Sequence, residues 1–290
     1  QPPILSWGAW RVFEKCGDEE FLRYCYPRLK AMVDWDLDHR DTNGSGLCEW
    51  ENGCASGMDN SPRFDTPVGD AVDFNSFMAN EMRCLAVMAR QLGLKDEADE
   101  WERRRSAIAD SINRTMWDSE TAFYYDLNPE GKQIRIKTES GFTPLFAGVC
   151  SEEQAASLVR HLESSDEFWR AFPVASVAAD EPSFCDDMWR GPTWINYNLL
   201  LVEGLIAFGY RTVAERLREA TLREIARWYA RDGVTYEFYD SEAERSPSLL
   251  ARKGESGIRF GGRWQCGRAV RDYHWTAALF VDLLMRGRFE

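Results

Sequence analysis

Residues 70–117 read DAVDFNSFMANEMRCLAVMARQLGLKDEADEWERRRSAIADSINRTMW. Apolar residues recur at helical spacing in the first half, which predicts a helix over about 70–92 with one face in a core. They are Phe74, Phe77, Met78, Met82, Leu85 and Met88. Gly93 closes that helix, and a second helix over about 96–117 aligns Trp101, Ile108, Ile112 and Met116. The stretch therefore predicts two successive helices joined by a short turn.

The same criterion of apolar periodicity applies to the rest of the chain. It predicts further helices at about 4–15, 19–40, 142–148, 151–163, 194–208, 211–231 and 271–287, and a small β-hairpin over 122–137. Paired helices with long loops at one end are typical of an all-α, α/α-barrel domain, here expected to cover residues 1–290 as one catalytic unit. About nine helices fall short of the twelve in a closed six-pair barrel. We expect the shortfall at the N-terminus.

Composition excludes several classes of function. A hydrophobic content of 44% allows a sizeable core, so the chain is not a disordered tail. The net charge of −13, without a basic stripe, argues against nucleic acid and anionic membranes as partners. The sequence has no apolar run of transmembrane length, and we expect no signal peptide and a bacterial cytoplasmic location. The eight cysteines match no zinc pattern and are expected as reduced thiols.

Two loop carboxylates stand out from this helical background. Asp59 lies in a Gly/Asn/Ser/Pro-rich loop, Ser56-Gly57-Met58-Asp59-Asn60-Ser61-Pro62-Arg63-Phe64-Asp65, whose composition fits neither helix nor strand. Glu237 lies in a second cluster, Tyr236-Glu237-Phe238-Tyr239-Asp240. Because each is set among aromatic residues, which stack on the C–H faces of sugar rings, the pair indicates acid/base chemistry on a sugar-like ligand.

Three blocks in order resemble glycoside hydrolase family 63, a family of inverting α-glucosidases with an (α/α)6-barrel fold. The first is Ser56–Arg63, the second is Trp189-Arg190-Gly191-Pro192-Thr193-Trp194-Ile195-Asn196, and the third is Tyr236–Asp240 with Trp275-Thr276-Ala277-Ala278-Leu279 downstream. Together they span nearly the whole chain. Three departures accompany the resemblance, one of which is His274 before Trp275, where a smaller residue is expected. Residues 52–55 separate Trp50-Glu51 from the first block, and residues 241–268 are expected to form a pocket wall of their own.

The resemblance implies that Asp59 is the general acid and Glu237 the general base. An inverting mechanism then requires room for a water, with the carboxyl groups roughly 6.5–9.5 Å apart. Asp65 is an alternative acid and Asp240 an alternative base. The sequence leaves the choice to geometry.

The resemblance also implies a set of substrate-binding residues. Trp189, Arg190 and Trp194 would line a glucose subsite, with Gly191 allowing close backbone approach to a ligand. Arg190 has a structural alternative, an ion pair with Asp186 or Asp187. The remaining predicted contacts are Asn60 and Arg63 beside the acid, Trp50 and Glu51 on the aglycone side, and Tyr236 and Trp275 near the base.

Other functions remain open at this stage. A trehalase-like hydrolase shares the barrel and a similar Ser-Gly-x-Asp block. A sugar isomerase would use histidine for proton transfer, yet His39, His161 and His274 lie in no comparable motif. A non-catalytic carbohydrate-binding or assembly module would bind glycosides without hydrolysing them. The expected partner is a small oligosaccharide or glycoside. No cofactor motif and no metal-ligand cluster is recognised, and a structural calcium would have ligands that the sequence does not identify.

Overall fold

The structure is a computed structural model that describes residues 2–254, 258–260, 263–265 and 267–289. Most of these residues are helical, as predicted. The helices are α1 (Leu5–Cys16), α2 (Glu19–His39), α3 (Gly53–Ser56), α4 (Val72–Gln91), α5 (Lys95–Thr115), α6 (Thr143–Ala147), α7 (Glu152–Glu163), α8 (Ile195–Ala207), α9 (Arg211–Asp232) and α10 (His274–Met285).

Local capping interactions explain several of these boundaries. The Asp18 side chain accepts a hydrogen bond from the Phe21 N–H and begins α2, while Ser151 and Gln154 form a reciprocal capping box at the start of α7. Gly17 ends α1 in the left-handed conformation. The predicted helices therefore agree with the observed ones to within a few residues. The four-residue α3, which leads into the Asp59 loop, has no counterpart in the prediction.

The helices pack as an inner and an outer layer. Helices α4, α6, α8 and α10 contact one another in succession, with α1 beside α4, whereas α2, α5 and α9 pack on the outside of α1, α4 and α8. Helix α4 is buried over most of its length, and α8 is apolar on nearly every face. Helices α4, α6 and α8 thus form much of the core, and the loops between the helices carry the residues described below.

Strands are short and confined to the loops. Strand β1 (Trp117–Asp118) pairs antiparallel with β2 (Phe123–Tyr124), and β3 (Ile258–Phe260) pairs with β4 (Arg263–Gln265). The predicted hairpin over 122–137 is only partly formed, since its 128–131 turn closes on a single bridge between Leu127 and Gln133. The Asn128 side chain accepts the Glu130 and Lys132 N–H groups and stabilises this turn without extended strands.

Helices α1 and α10 each present aliphatic side chains to solvent. On α10 the exposed residues include Val281, Leu284 and Met285, and on α1 they include Leu5 and Val12. None of the helices within the described ranges combines the length and apolar character needed to cross a bilayer.

Candidate functional site

The loop that carries Asp59 is held by tight local packing. Asn52 caps α3 through the Ala55 N–H, and Gly57, at a φ of 81°, ends it. The Ser56 hydroxyl donates to the Gly53 carbonyl and accepts from the Met58 N–H at 3.0 Å. A Cβ on Gly53 would lie 2.6 Å from the Asp59 carbonyl oxygen, so this close approach requires glycine.

Asp59 and Glu237 line one cavity of about 260 Å³. Aromatic side chains supply much of its wall, and the acidic side chains face it from different parts of the chain. The other lining residues are Pro2, Ser56, Gly57, Met58, Met188, Trp189, Trp194, Asn196, Tyr197, Arg252, Tyr273 and Trp275. Folding thus brings together the two carboxylates that the sequence singles out. The alternative acid and base, Asp65 and Asp240, are not among these lining residues.

Glu237 is buried, and both of its carboxylate oxygens accept hydrogen bonds. Arg252 donates to both oxygens, from Nε at 2.8 Å and from Nη2 at 3.2 Å, and the Val270 N–H donates at 3.3 Å. Burial by itself would lower the pKa of Arg252, but the hydrogen bonds and charge of Glu237 and the charge of Asp59 outweigh it and raise that pKa. The guanidinium therefore stays charged and pairs with Glu237.

Asp59 is partly exposed and forms an ion pair with the Lys253 ammonium. Tyr273 lies on the same cavity, where burial and then the charge of Glu237 raise its pKa to about 12. Its hydroxyl remains a neutral donor at physiological pH. Tyr197 lines the cavity as well, and burial raises its pKa too. The described part of the site therefore combines two carboxylates, two cations and two neutral phenols.

Stacked indoles form one wall. The Trp189 and Trp194 rings lie 3.7 Å apart at an interplanar angle of 6°. Trp194 Nε1 donates to the Met188 carbonyl, whereas the buried Trp189 Nε1 has no hydrogen-bond partner among the described residues. A buried donor without a hydrogen-bond partner lowers the stability of the folded protein. A ligand hydroxyl that accepts from this N–H would therefore gain a favourable hydrogen bond.

Arg190 and Gly191 lie outside the lining and hold the loops together. Arg190 donates to the Asn60 carbonyl at 2.9 Å and pairs with Asp65, rather than with Asp186 or Asp187. The Gly191 N–H donates to the Ser176 hydroxyl, and a Cβ at Gly191 would lie 2.4 Å from the Cys185 carbonyl oxygen. The close backbone approach at Gly191 is thus to protein.

Asn60 and Arg63 also act through protein contacts. Asn60 accepts from the Trp189 N–H at 3.0 Å and donates to the Asp187 carbonyl at 3.3 Å, which joins the Asp59 loop to the 185–190 loop. Arg63 is fully buried between Asp73 and Asp126 and donates to the Met58 sulfur. Its position supports the Asp59 loop and leaves no surface for sugar.

The predicted aglycone residues lie elsewhere. Trp50 stacks on Phe74 and donates to Asp73 at 2.8 Å. With the exposed Glu51 it borders a second cavity, of about 320 Å³, whose lining does not include Asp59. The structure therefore does not bring Trp50 and Glu51 to the candidate acid.

Of the residues predicted near the candidate base, only some line the main cavity. Trp275 lines the main cavity and is about half exposed. Tyr236 is buried, with its hydroxyl donating to Asp232 at 2.9 Å, and does not line it. The Asp240 carboxylate accepts three backbone N–H groups, from Glu242, Glu244 and Arg245. It is a turn aspartate rather than a base facing the cavity.

Sequence reasoning missed three groups at this site: Arg252, Lys253 and Tyr273. Arg252-Lys253 is an adjacent basic pair inside the 241–268 segment, which was expected to form a pocket wall, and Tyr273 lies two positions before Trp275. The basic pair and the nearby tyrosine were visible in the sequence, but neither pattern indicated which carboxylate it would contact. Within the described ranges, no group of three His, Cys, Asp or Glu residues is placed to hold a metal ion.

Similarity to known proteins covers almost the whole chain. Residues 1–276 match the family described as mannosylglycerate hydrolase MGH1-like glycoside hydrolase domain. A mannosylglycerate hydrolase from Rubrobacter radiotolerans is 30% identical, over 99% of this chain and 74% of its own length. An uncharacterized protein from Borreliella burgdorferi is 27% identical over 77% of this chain, which spans only 46% of that relative.

Solved structures agree with the sequence relatives. A GH63 mannosylglycerate hydrolase from Thermus thermophilus, in complex with glucose, superposes with a TM-score of 0.76 at 27% identity. The match covers 97% of this chain and 75% of that one. The same TM-score is found for that enzyme in complex with Tris and D-glycerate, at 25% identity.

Proposed function

Because the chain belongs to the mannosylglycerate hydrolase MGH1-like glycoside hydrolase domain family, whose members hydrolyse O-glycosyl bonds, we propose that it is an inverting hydrolase of α-glycosidic bonds. Asp59 is the general acid and Glu237 the general base. The observation that carries this proposal is that both carboxylates, distant in sequence, line one aromatic-walled cavity. The substrate is a small α-glucoside or a closely related α-glycoside.

The reaction moves two protons. Asp59 in its protonated form donates to the glycosidic oxygen as the C–O bond breaks, and the bonding electrons leave with that oxygen. On the opposite face of the ring, Glu237 takes a proton from a water whose oxygen bonds to the anomeric carbon. The products are the free sugar and the alcohol, with Asp59 left as a carboxylate and Glu237 protonated.

The environment of Glu237 suits a base. Arg252 holds the carboxylate with two hydrogen bonds. The Val270 N–H adds a third hydrogen bond to the Arg252 contacts and fixes the orientation of the group. Neither donor can accept the proton taken from water, so it must remain on Glu237 until solvent removes it.

The cavity wall suits a sugar ring. The apolar faces of Trp189, Trp194 and Trp275 can stack on ring C–H groups, and the unpartnered Trp189 Nε1 can donate to a hydroxyl. The volume of about 260 Å³ limits the ligand to a small glycoside. Related structures are described in complex with glucose and with D-glycerate, which supports glycosylglycerates as candidates.

We also propose that residues 1–290 belong to a single catalytic domain of the (α/α)6-barrel type. The two-layer packing of the helices supports this, as does the likeness to the GH63 structures. The exposed apolar faces of α1 and α10 are consistent with further helices completing the ring. A protein that includes additional family helices should bury these faces and have a higher melting temperature than residues 1–290 alone.

The experiment that tests the catalytic assignment replaces each carboxylate separately. Asp59→Asn and Glu237→Gln should each lower kcat by about 10²–10⁴-fold while the unfolding transition is retained, because each removes one proton transfer. The double variant should be no worse than the more impaired single variant. Glu130→Gln, on an exposed turn, is the matched control and should keep full turnover. Full turnover in either single variant contradicts the assignment.

Three further measurements complete the test. Direct NMR of the product should detect the β-anomer first, and initial release of the α-anomer would exclude inversion. Asp65→Asn and Asp240→Asn should lower kcat by less than about tenfold, since neither carboxylate lines the cavity. A panel of α-disaccharides, trehalose and glycosylglycerates identifies the substrate, and turnover of trehalose alone would make the protein trehalase-like.

A further inference from the structure

One short segment places a cation on each candidate catalytic carboxylate. Arg252 donates to Glu237, and the neighbouring Lys253 pairs with Asp59. The Lys253 and Asp59 side chains are 24% and 19% exposed, so the pair is neither fully solvated nor sealed. A partly exposed pair can exchange partners without leaving a charge buried and unpaired.

The position of Lys253 is set by the backbone around it. The Asp187 carboxylate accepts the N–H of Lys253 at 2.7 Å and that of Gly254 at 2.8 Å. Asn60, next to Asp59, donates to the Asp187 carbonyl. The Lys253 backbone is therefore tied to the loop of its partner, and side-chain rotation alone is enough to move its ammonium.

This arrangement conflicts with the resting role of a general acid. The acid must carry a proton before it acts, whereas an ion pair with an ammonium requires the carboxylate. Among the described residues that line the cavity with Asp59, the other charged or titratable groups are Arg252, Glu237, Tyr273 and Tyr197. Arg252 is committed to Glu237 and both tyrosines are neutral. Lys253 is therefore the group whose release would let Asp59 take up a proton.

We propose that Lys253 is a specificity-determining residue, which exchanges Asp59 for a carboxylate on the leaving group of the substrate. This inference rests on the proposed hydrolase function. As the anionic leaving group binds, its carboxylate becomes the counter-ion of Lys253, and Asp59 takes one proton from solvent. Asp59 then gives that proton to the glycosidic oxygen. A neutral glycoside supplies no replacement counter-ion, leaves the Lys253–Asp59 pair intact and is hydrolysed slowly.

The test compares two substrates that differ only in charge: 2-O-α-glucosylglycerate and 2-O-α-glucosylglycerol. The wild-type protein should favour the glycerate by on the order of 10–100-fold in kcat/KM, the range of one charge-assisted hydrogen bond. Lys253→Met should reduce this ratio to near one, and Lys253→Arg should restore most of it. Lys132→Met, on an exposed turn, is the matched control and should keep the wild-type ratio.

Binding of free D-glycerate, measured by calorimetry, gives a readout that does not depend on turnover. Lys253→Met should weaken the affinity on the order of 10–100-fold. Asp59→Asn should bind D-glycerate more tightly than the wild type, because the substitution removes the anion that competes for Lys253. A lysine that only orients Asp59 would not produce this gain.

The outcomes separate the two proposals. A wild-type ratio and glycerate affinity in Lys253→Met overturn the role of Lys253. An equal loss on both substrates also overturns it, since Lys253 would then only position the acid. If the wild type hydrolyses neither substrate nor any glycoside of the panel, the hydrolase proposal fails, and the glycerate affinities of the three proteins still decide whether Lys253 binds the anion.

Discussion

Arg63 illustrates how a single buried charge supports the loop of the candidate acid. Its guanidinium contacts Asp73 at 2.5 Å, Asp126 at 2.9 Å and the Met58 sulfur at 3.3 Å, and it is almost completely excluded from solvent. Burial would lower the pKa of Arg63, but the charges of Asp126 and Asp73 outweigh it and raise that pKa. The cation is thus permanent, and two acidic groups depend on it.

We expect Arg63→Ala to lower the free energy of unfolding by about 3–5 kcal/mol, because it leaves two buried carboxylates without their counter-charge. Urea denaturation measures the change. Arg103→Ala is the control, since the Arg103 side chain is 71% exposed and pairs only with Glu100 among the described residues. It should change stability by less than about 1 kcal/mol. Equal effects of the two substitutions would show that Arg63 is not structural.

At the scale of elements, two glycines within helices illustrate how packing overrides helix propensity. A Cβ added to Gly8 of α1 would have no described atom within 4 Å, whereas a Cβ on Gly204 of α8 would lie 2.9 Å from the Leu145 carbonyl carbon and the Phe146 nitrogen. Both contacts of Gly204 are with the backbone of α6, which cannot rotate away. Gly204 therefore lets α6 and α8 pack closely, while Gly8 has no such role.

Gly8→Ala and Gly204→Ala should accordingly shift stability in opposite directions. Alanine at position 8 should stabilise the protein by about 0.5–1 kcal/mol, since it restricts the unfolded chain and favours the helix. Alanine at position 204 should destabilise it by about 1–3 kcal/mol through overpacking. Thermal unfolding of the two variants checks both signs. Stabilisation by Gly204→Ala would mean that α6 and α8 are further apart than described.

For the molecule as a whole, buried thiols link stability to alkaline pH. Burial raises the pKa of Cys48, Cys84 and Cys150 from 9.0 to about 12 in each case. In the unfolded chain these thiols ionise near pH 9, while in the folded protein they stay protonated. Their contribution to stability is therefore complete below pH 9 and is lost as the pH rises from 9 towards 12.

Urea unfolding under reducing conditions at pH 8, 9 and 10 tests this dependence. For each buried thiol, the free energy of unfolding should fall by up to about 1.4 kcal/mol per pH unit above pH 9. Cys84→Ala should make the loss less steep, whereas Cys16→Ala, at an exposed position, should leave it unchanged. An unaltered slope in Cys84→Ala would indicate that this thiol already ionises in the folded state.

Periodicity alone was enough to predict most helices. The stripe over 70–92 corresponds to α4 (Val72–Gln91), and the next predicted helix corresponds to α5 (Lys95–Thr115). Such patterns are local, because one apolar face must recur every three or four residues for a helix to pack. The hairpin over 122–137 was predicted less well, since side-chain hydrogen bonds to Asn128 replace strand pairing there.

The sequence by itself determined the helical pairs, the family resemblance and the two carboxylates of interest, because each depends on residue types at short spacing. Only the tertiary structure decided which groups face those carboxylates. It places Arg252 on Glu237 and Lys253 on Asp59, moves Arg63 and Arg190 into supporting contacts, and leaves Trp50 beside another cavity. Partners such as these are separated by long stretches of chain, and no local pattern encodes a distance that exists only after the helices have packed.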